Sequence, residues 1–156
     1  NLRSGTLPTP LCVGLGSACQ IAYDELEQES RRLQALRDRL YDGISKRLPD
    51  VMMHGHHKFR LPGNLNLSFA GLDSETIMGA IPDIAISSGS ACTSTSIEPS
   101  YVIRALGLSD EIARGSLRFG IGRFTTEAEI DYSINRITDT VIALRTKGKT
   151  DKVTAL

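Results

Sequence analysis

One apolar stripe, running along the stretch from Pro8 to about Leu48, constrains this chain more than any other feature. Leu26, Leu33, Leu36, Leu40, Ile44 and Leu48 recur at spacings of three, four and seven, the repeat of one face of an α-helix. The remaining faces are charged, and Glu27 and Arg31 stand at a supportive i, i+4 spacing. Such a stripe predicts core packing. Gly16 and the softer stretch before it predict two helices, or one bent helix, rather than a single rod. The length also suits an arm that leaves one domain to pack against another.

Past Pro49 the period shortens. "VMMHG" and "NLNLSFA" end in turn residues, and Leu65, Leu67 and Phe69 alternate with polar partners as a half-buried strand requires. "DSETIMGAI" reads as a short helix opened by Asp73 or Ser74, and "DIAISS" as a brief strand. "EPSYVIRALG" places Pro99 at a first helical position and Gly107 just past the end. "SLRFGIG" is a further strand. Thr126 and Glu129 then stand in capping-box spacing ahead of a helix whose buried face is Ile130, Ile134, Ile137, Val141 and Leu144. The tail "TKGKTDKVTAL" loses this periodicity and is expected to fray. Helices alternating with a few short strands predict an α/β or α+β domain, a small mixed sheet flanked by helices.

The chain has 156 residues, enough for one compact domain and short for two. Its 18 Lys and Arg balance 18 Asp and Glu, so it lacks the basic footprint of a nucleic-acid binder, and no direct nucleic-acid contact is expected. No apolar run approaches a membrane span, so no membrane partner is expected. Three cysteines without a C-x-x-C pair argue against a disulfide framework or a zinc knuckle and for a reducing compartment, cytoplasm or an organellar matrix.

One of those cysteines is oddly placed. Cys92 sits in "SSGSACTS", among residues too small and polar to build a core. Only a thiolate is a strong nucleophile, and Ser87, Ser88, Ser90, Thr93 and Ser94 offer it hydroxyl donors. Gly89 lets the backbone swing, and Pro99 begins a firm helix soon after. These features suit a thiol that travels between two reaction partners; a surface cysteine without a task fits the loop chemistry as well.

Other candidates are weaker. Cys12 and Cys19, seven residues apart on one helical face, are expected to be packed rather than metal-binding. In "HGHH", His54 and His56 could share a strand face with His57 beside them, yet no carboxylate or thiol follows at ligand spacing. A turn with surface histidines is the expectation. "GIGRF" and "GLGSAC" do not complete a dinucleotide fingerprint. Arg118 stands among apolar neighbours in "SLRFG", where it needs an anionic partner. Two partners fit its position equally, a substrate carboxylate held bidentately or an acid of the protein in a salt bridge.

The run "SSGSACTSTSIEPSYVIRALGLSDEIARGSLRFGIGRFTTEAEID", with "LPGNLNLSF" and "RSGTLPTP" before it, resembles the C-terminal region of the group I cysteine desulfurases. These are pyridoxal-phosphate (PLP) enzymes of the class-V aminotransferase-like group that mobilise sulfur for iron–sulfur clusters. The resemblance implies the small C-terminal domain of a PLP fold-type I enzyme with its long linking helix. Residues 1–25 would enter from the domain that holds PLP, residues 26–146 would form the small domain carrying the cysteine loop (87–98), and 147–156 would be the frayed tail. It implies that Cys92 takes sulfur from L-cysteine as a persulfide and leaves L-alanine. Arg118 matches the arginine that holds the substrate carboxylate. Thr6 matches the threonine that reaches the PLP phosphate of a neighbouring subunit, which implies a homodimer. Asn66 matches a motif asparagine to which no role is assigned. No intrinsic metal site is implied, only transient iron–sulfur contact through Cys92. The implied acceptors are an iron–sulfur scaffold or other sulfur-accepting proteins, with tRNA thiolation as an open second destination.

The chain departs from the family in two places. The family's PLP-binding lysine lies in a Ser-x-His-Lys motif, which is absent here, and Lys46, Lys58, Lys147, Lys149 and Lys152 stand in other contexts. The chain alone is therefore expected to be inactive, as a part of a longer enzyme. The tail also does not resemble the one that helps dock the scaffold protein in many members. Two other readings stay open. A selenocysteine lyase is disfavoured by the long cysteine loop. A non-enzymatic persulfide carrier would leave Arg118 and Thr6 without a purpose.

Overall fold

The computed structural model describes residues 5–88 and 100–154, with side chains described as far as residue 148. Its first element, α1 (Thr9–Ser45), is one continuous helix with Pro10 in its opening turn, where the missing N–H costs nothing. Of the two expectations near Gly16, a division into two helices is not seen, and a β-carbon on Gly14 or Gly16 would meet nothing within 4 Å. Every residue from Thr9 to Gln28 is exposed. Leu26, the first member of the stripe, is 65% exposed, whereas Leu36, Leu40 and Ile44 are buried. Cys12 and Cys19 are likewise exposed rather than packed, because they lie on this exposed half of α1.

The chain continues through β1 (Val51–Met53), β2 (Asn64–Phe69), α2 (Ser74–Ala80), β3 (Ser87–Ser88), α3 (Tyr101–Ala105), α4 (Asp110–Arg114), β4 (Ser116–Gly120) and α5 (Glu127–Thr154). Asp73 caps α2, its carboxylate accepting the Glu75 amide at 2.7 Å. Ser100 is the N-cap position of α3, so Pro99, expected inside the first turn, precedes the cap and lies outside the described residues. Gly107 follows that helix with φ +79°, a conformation that favours glycine. The helix α4, in "DEIAR", has no counterpart in the periodicity; the Ser109 hydroxyl caps it by accepting the Ile112 amide.

Among the described residues four strands lie in the order β1-β2-β4-β3, and every neighbouring pair is antiparallel. The α+β expectation holds, but the sheet is antiparallel where a mixed one was expected. Alternation of helices and strands along the sequence does not fix strand direction, and here each strand returns against its neighbour. β3 is also shorter than "DIAISS" promised, because Ile84 and Ile86 pack against the core without pairing.

One face of the sheet carries the core. Leu65, Leu67 and Phe69 of β2 and Leu117 and Phe119 of β4 cluster with Leu36, Leu40 and Ile44 of α1 and Ile130, Ile134, Ile137 and Val141 of α5. The two helices approach closely: a β-carbon on Gly43 would lie 2.5 Å from Ile134 Cδ1. Across their outer seam Arg39 donates to Asp131 at 2.7 and 2.8 Å and to Glu127 at 3.0 Å. Both halves of the capping box form, the Thr126 amide donating to Glu129 Oε2 at 2.8 Å and the Glu129 amide to Thr126 Oγ1 at 3.2 Å. α5 runs on to Thr154, through the segment expected to fray.

Candidate functional site

Side chains alternate across a strand, so the residues between the core positions of β2 and β4 occupy the opposite face. There Asn66 is directly opposite Arg118, and Arg118 is directly opposite Ser87 of β3. Three strands thus carry one polar row, Asn66–Arg118–Ser87. Towards the other end of this face Ser68 opposes Ser116, and both are buried. The Arg118 end is open.

Arg118 is exposed and has no ion pair or hydrogen bond among the described residues. Other arginines of the chain are engaged: Arg39 with Asp131, Arg104 with Asp110, Arg123 with Glu25 and Glu29, Arg136 with Asp83. The salt bridge with an acid of the protein, one of its two expected partners, is therefore not made within the described residues. A guanidinium in this state presents its fork of donors outward, a geometry that matches a carboxylate.

Asn66 contributes an unsatisfied acceptor. Its Oδ1 is buried and has no hydrogen-bond partner, a state that costs the desolvation of that group. The row extends one place further, because the His54 amide donates to the Asn66 carbonyl at 2.9 Å. His54 is 3% exposed, and neither of its ring nitrogens has a partner. Burial holds its pKa below the ordinary 6.5, and the nearby Arg60 charge adds to the effect. The surface turn expected for "HGHH" holds only for His56 and His57, which are exposed. His54 and His56 do not share a strand face, since β1 ends at Met53 and the chain turns through Gly55 at φ +82°. His56 Nδ1 instead accepts the Lys58 and Phe59 amides, each at 3.0 Å. Among the described residues no group of His, Cys, Asp and Glu could hold a metal ion.

The segment that delivers β3 to the row is pinned from behind. Asp83 accepts from the Tyr132 hydroxyl and from Arg136 Nε at 3.2 Å, and these partners on α5 hold its pKa down at about 2. Arg136 also donates to the Ala80 carbonyl at 2.9 Å. Cys92 follows Ser88 by four residues in the chain and lies outside the described residues. Thr6 is exposed ahead of α1. Thr9 and Leu33, the latter already against the core, are about 36 Å apart along a helix rising 1.5 Å per residue, so Thr6 is not brought to the Arg118 row.

A groove of about 770 Å³ lies on the described surface, lined by Ser68, Leu72, Asp73, Ser109, Arg114 and Gly115 among others. Arg118 does not line it. The row is a shallow surface that would need a further element to enclose a ligand. The sequence leaves Asn66 without a role and predicts His54 at the surface. Alternation in "NLNLSF" and "SLRFG" held the signal that Asn66 and Arg118 turn from the core, but not that they oppose each other.

The family model described as aminotransferase class-V matches residues 1–132. The chain is 55% identical over 144 residues to a protein named cysteine desulfurase IscS from Rickettsia typhi, and 53% identical over 144 residues to one named cysteine desulfurase from Homo sapiens. Each alignment covers 92% of this chain, but only 35% and 32% of those two proteins, so the chain spans about a third of the length of the curated relatives it matches. Among solved structures, a NifS-like protein matches with a TM-score of 0.75 at 27% identity, over 88% of this chain and 35% of that one. DndA from Streptomyces lividans matches with a TM-score of 0.57 at 35% identity, over 76% of this chain and 33% of that one. A family match that starts with the first residue and continues into α5 admits one conclusion: the chain belongs to the aminotransferase class-V family.

Proposed function

We propose that this chain is the sulfur-handling part of a PLP-dependent cysteine desulfurase, with Arg118 as the grip on substrate and Cys92 as the sulfur acceptor. The observation that carries this reading is Arg118 itself, exposed on the open sheet face without an ion pair among the described residues and in register with Ser87. A four-residue tether spans at most about 14 Å, so a thiol four residues past Ser88 can reach the neighbourhood of that guanidinium.

The cofactor fits this chain only in part. An exposed guanidinium suits the carboxylate of a substrate, and the Thr6 hydroxyl suits a phosphate oxygen. A lysine able to hold PLP is another matter, for Lys46, Lys58 and Lys147 are exposed and Lys46 pairs with Asp42 at 3.6 Å. The group would be held mainly by residues outside this chain. When bound, PLP supplies the electron sink that lets the carbon–sulfur bond of L-cysteine break.

The residues present here do the rest. Arg118 binds the carboxylate through two parallel N–H donors and so fixes where the substrate sulfur lies. Cys92, as thiolate, forms a sulfur–sulfur bond to that atom and departs as a persulfide. L-cysteine plus a thiol gives L-alanine plus a persulfide, so atoms and electrons balance without an oxidant. Thr6 is far from the Arg118 row of its own chain, which supports a contact with the cofactor of a second copy and hence a homodimer. Persulfide sulfur on Cys92 would pass to acceptor proteins in a reducing compartment, iron–sulfur scaffolds among them.

The test is a single turnover of the full-length protein with PLP and L-cysteine, without reductant, followed by peptide mass mapping. One extra sulfur on the Cys92 peptide with stoichiometric alanine is the expected result. Alanine with no sulfur on Cys92 would move the acceptor elsewhere. With neither product the desulfurase reading fails, and loading of Cys92 from a persulfide donor would then favour a carrier.

A further inference from the structure

We infer that Asn66 is a positioning residue for Arg118: its buried Oδ1 accepts one guanidinium N–H and thereby aims the remaining donors at the substrate carboxylate. The inference rests on the carboxylate role of Arg118 proposed above. Three observations carry it. Asn66 and Arg118 are direct cross-strand partners on the open face, where opposed Cβ atoms lie about 4.5–5.5 Å apart, well within an arginine's length. Asn66 Oδ1 is buried and lacks a donor. Arg118 has donors to spare, since among the described residues none is committed.

The two deficits complement each other. An exposed arginine loses rotamer freedom when it grips a ligand, and that loss is subtracted from the affinity. A fixed acceptor at the base of the side chain removes part of the cost in advance. Guanidinium has five N–H donors, so giving one to Asn66 still leaves a parallel pair for a carboxylate. The bond is charge-assisted, the kind that best offsets a desolvated acceptor. Asn66 is itself held in the middle of β2, its carbonyl accepting the His54 amide at 2.9 Å and its neighbours Leu65 and Leu67 pairing with Phe119 and Leu117 of β4, which suits a residue that aims another.

The experiment is a double-mutant cycle in the full-length holoenzyme, comparing parent, Asn66→Ala, Arg118→Ala and the double variant. Two readouts are taken: the Kd of 3-mercaptopropionate, which keeps the carboxylate and thiol but lacks the amine, and the kcat and KM for L-cysteine. Asn66→Leu, of similar shape without an acceptor, serves if the alanine variant does not fold. Removing the Asn66 acceptor should weaken 3-mercaptopropionate about 5–10-fold when Arg118 is present and leave it unchanged when Arg118 is alanine, with KM raised more than kcat is lowered. No loss, or an equal loss in both backgrounds, overturns the inference, the latter outcome meaning that Asn66 meets the ligand itself or acts only on the fold. If Arg118→Ala alone leaves the Kd unchanged, the carboxylate reading falls and takes this inference with it.

Discussion

Gly63 and Ile121 are locked backbone to backbone: the Ile121 amide donates to the Gly63 carbonyl at 2.8 Å, and a β-carbon on Gly63 would lie 2.2 Å from the Ile121 carbonyl oxygen. This contact sits where β2 begins and β4 ends, one step beyond the Asn64–Gly120 pair. It fixes the register that sets Asn66 against Arg118. A one-residue slip of β4 against β2 would turn Arg118 to the core face and away from Asn66.

Gly63→Ala should therefore cost about 1–3 kcal/mol, because the clash is with backbone that cannot rotate away. Gly79→Ala is the matched control. It lies in α2, a β-carbon there meets nothing within 4 Å, and the helix should gain roughly 0.8–1 kcal/mol. Denaturant unfolding of the full-length protein measures both. Equal midpoints for the two variants would mean that the Gly63–Ile121 contact relaxes freely.

Asp83 ties the approach to β3 onto α5, and its depressed pKa gives that tie a pH signature. A carboxylate whose folded pKa lies below its unfolded value stabilises the protein above the unfolded value, near 3.8, and loses that contribution as pH falls towards about 2. Asp83→Asn should lower the melting temperature at pH 7 and flatten its fall between pH 4 and 2. A variant that melts in parallel with its parent across this range would show that the Tyr132 and Arg136 contacts carry no net stability.

What could be read from the sequence follows how local each determinant is. The α5 cap was legible because Thr126 and Glu129 satisfy each other within one turn. Leu65, Leu67 and Phe69 announced their strand by alternation alone. The exposure of Cys12 and Cys19 was not legible, because helical spacing shows which residues share a face, never whether anything covers it. The antiparallel sense of the sheet escaped for a related reason, since strand direction is settled by long connections and not by the strands. Of the site, Arg118 was legible as a polar residue in an apolar strand. The orphaned Oδ1 of Asn66 and the buried ring of His54 were not, because burial of a single atom depends on neighbours distant in sequence.

His54 supplies a third prediction. Buried without a partner for either ring nitrogen, its imidazole is held neutral, with a folded pKa below the unfolded value of 6.5. Between those two values the unfolded chain binds more protons, so stability is full above pH 6.5 and declines as pH falls through the window beneath it. His54→Leu removes both the titration and the unsatisfied nitrogens. Its melting temperature should match or exceed the parent's at pH 7.5 and exceed it more clearly at pH 5.5. A gap between the two proteins that does not widen on acidification would mean that His54 is protonated equally in both states.

Arg118→Lys separates charge from geometry at the substrate grip. Lysine keeps the positive charge but offers a point donor on a flexible stem in place of a planar fork. If the guanidinium holds the carboxylate by two parallel bonds, the variant loses one of them together with the alignment, a loss of about 1–2 kcal/mol in binding. KM for L-cysteine should then rise about 5–30-fold, with a smaller fall in kcat, as expected when an interaction common to bound substrate and transition state is weakened. Cysteamine, which keeps the amine and thiol and lacks the carboxylate, should be bound equally by both proteins. Steady-state kinetics with L-cysteine and competition by cysteamine decide the matter. A lysine variant with the parent's KM would mean that Arg118 acts as a diffuse charge, and one equally impaired towards cysteamine would place its contact on the amine side of the substrate.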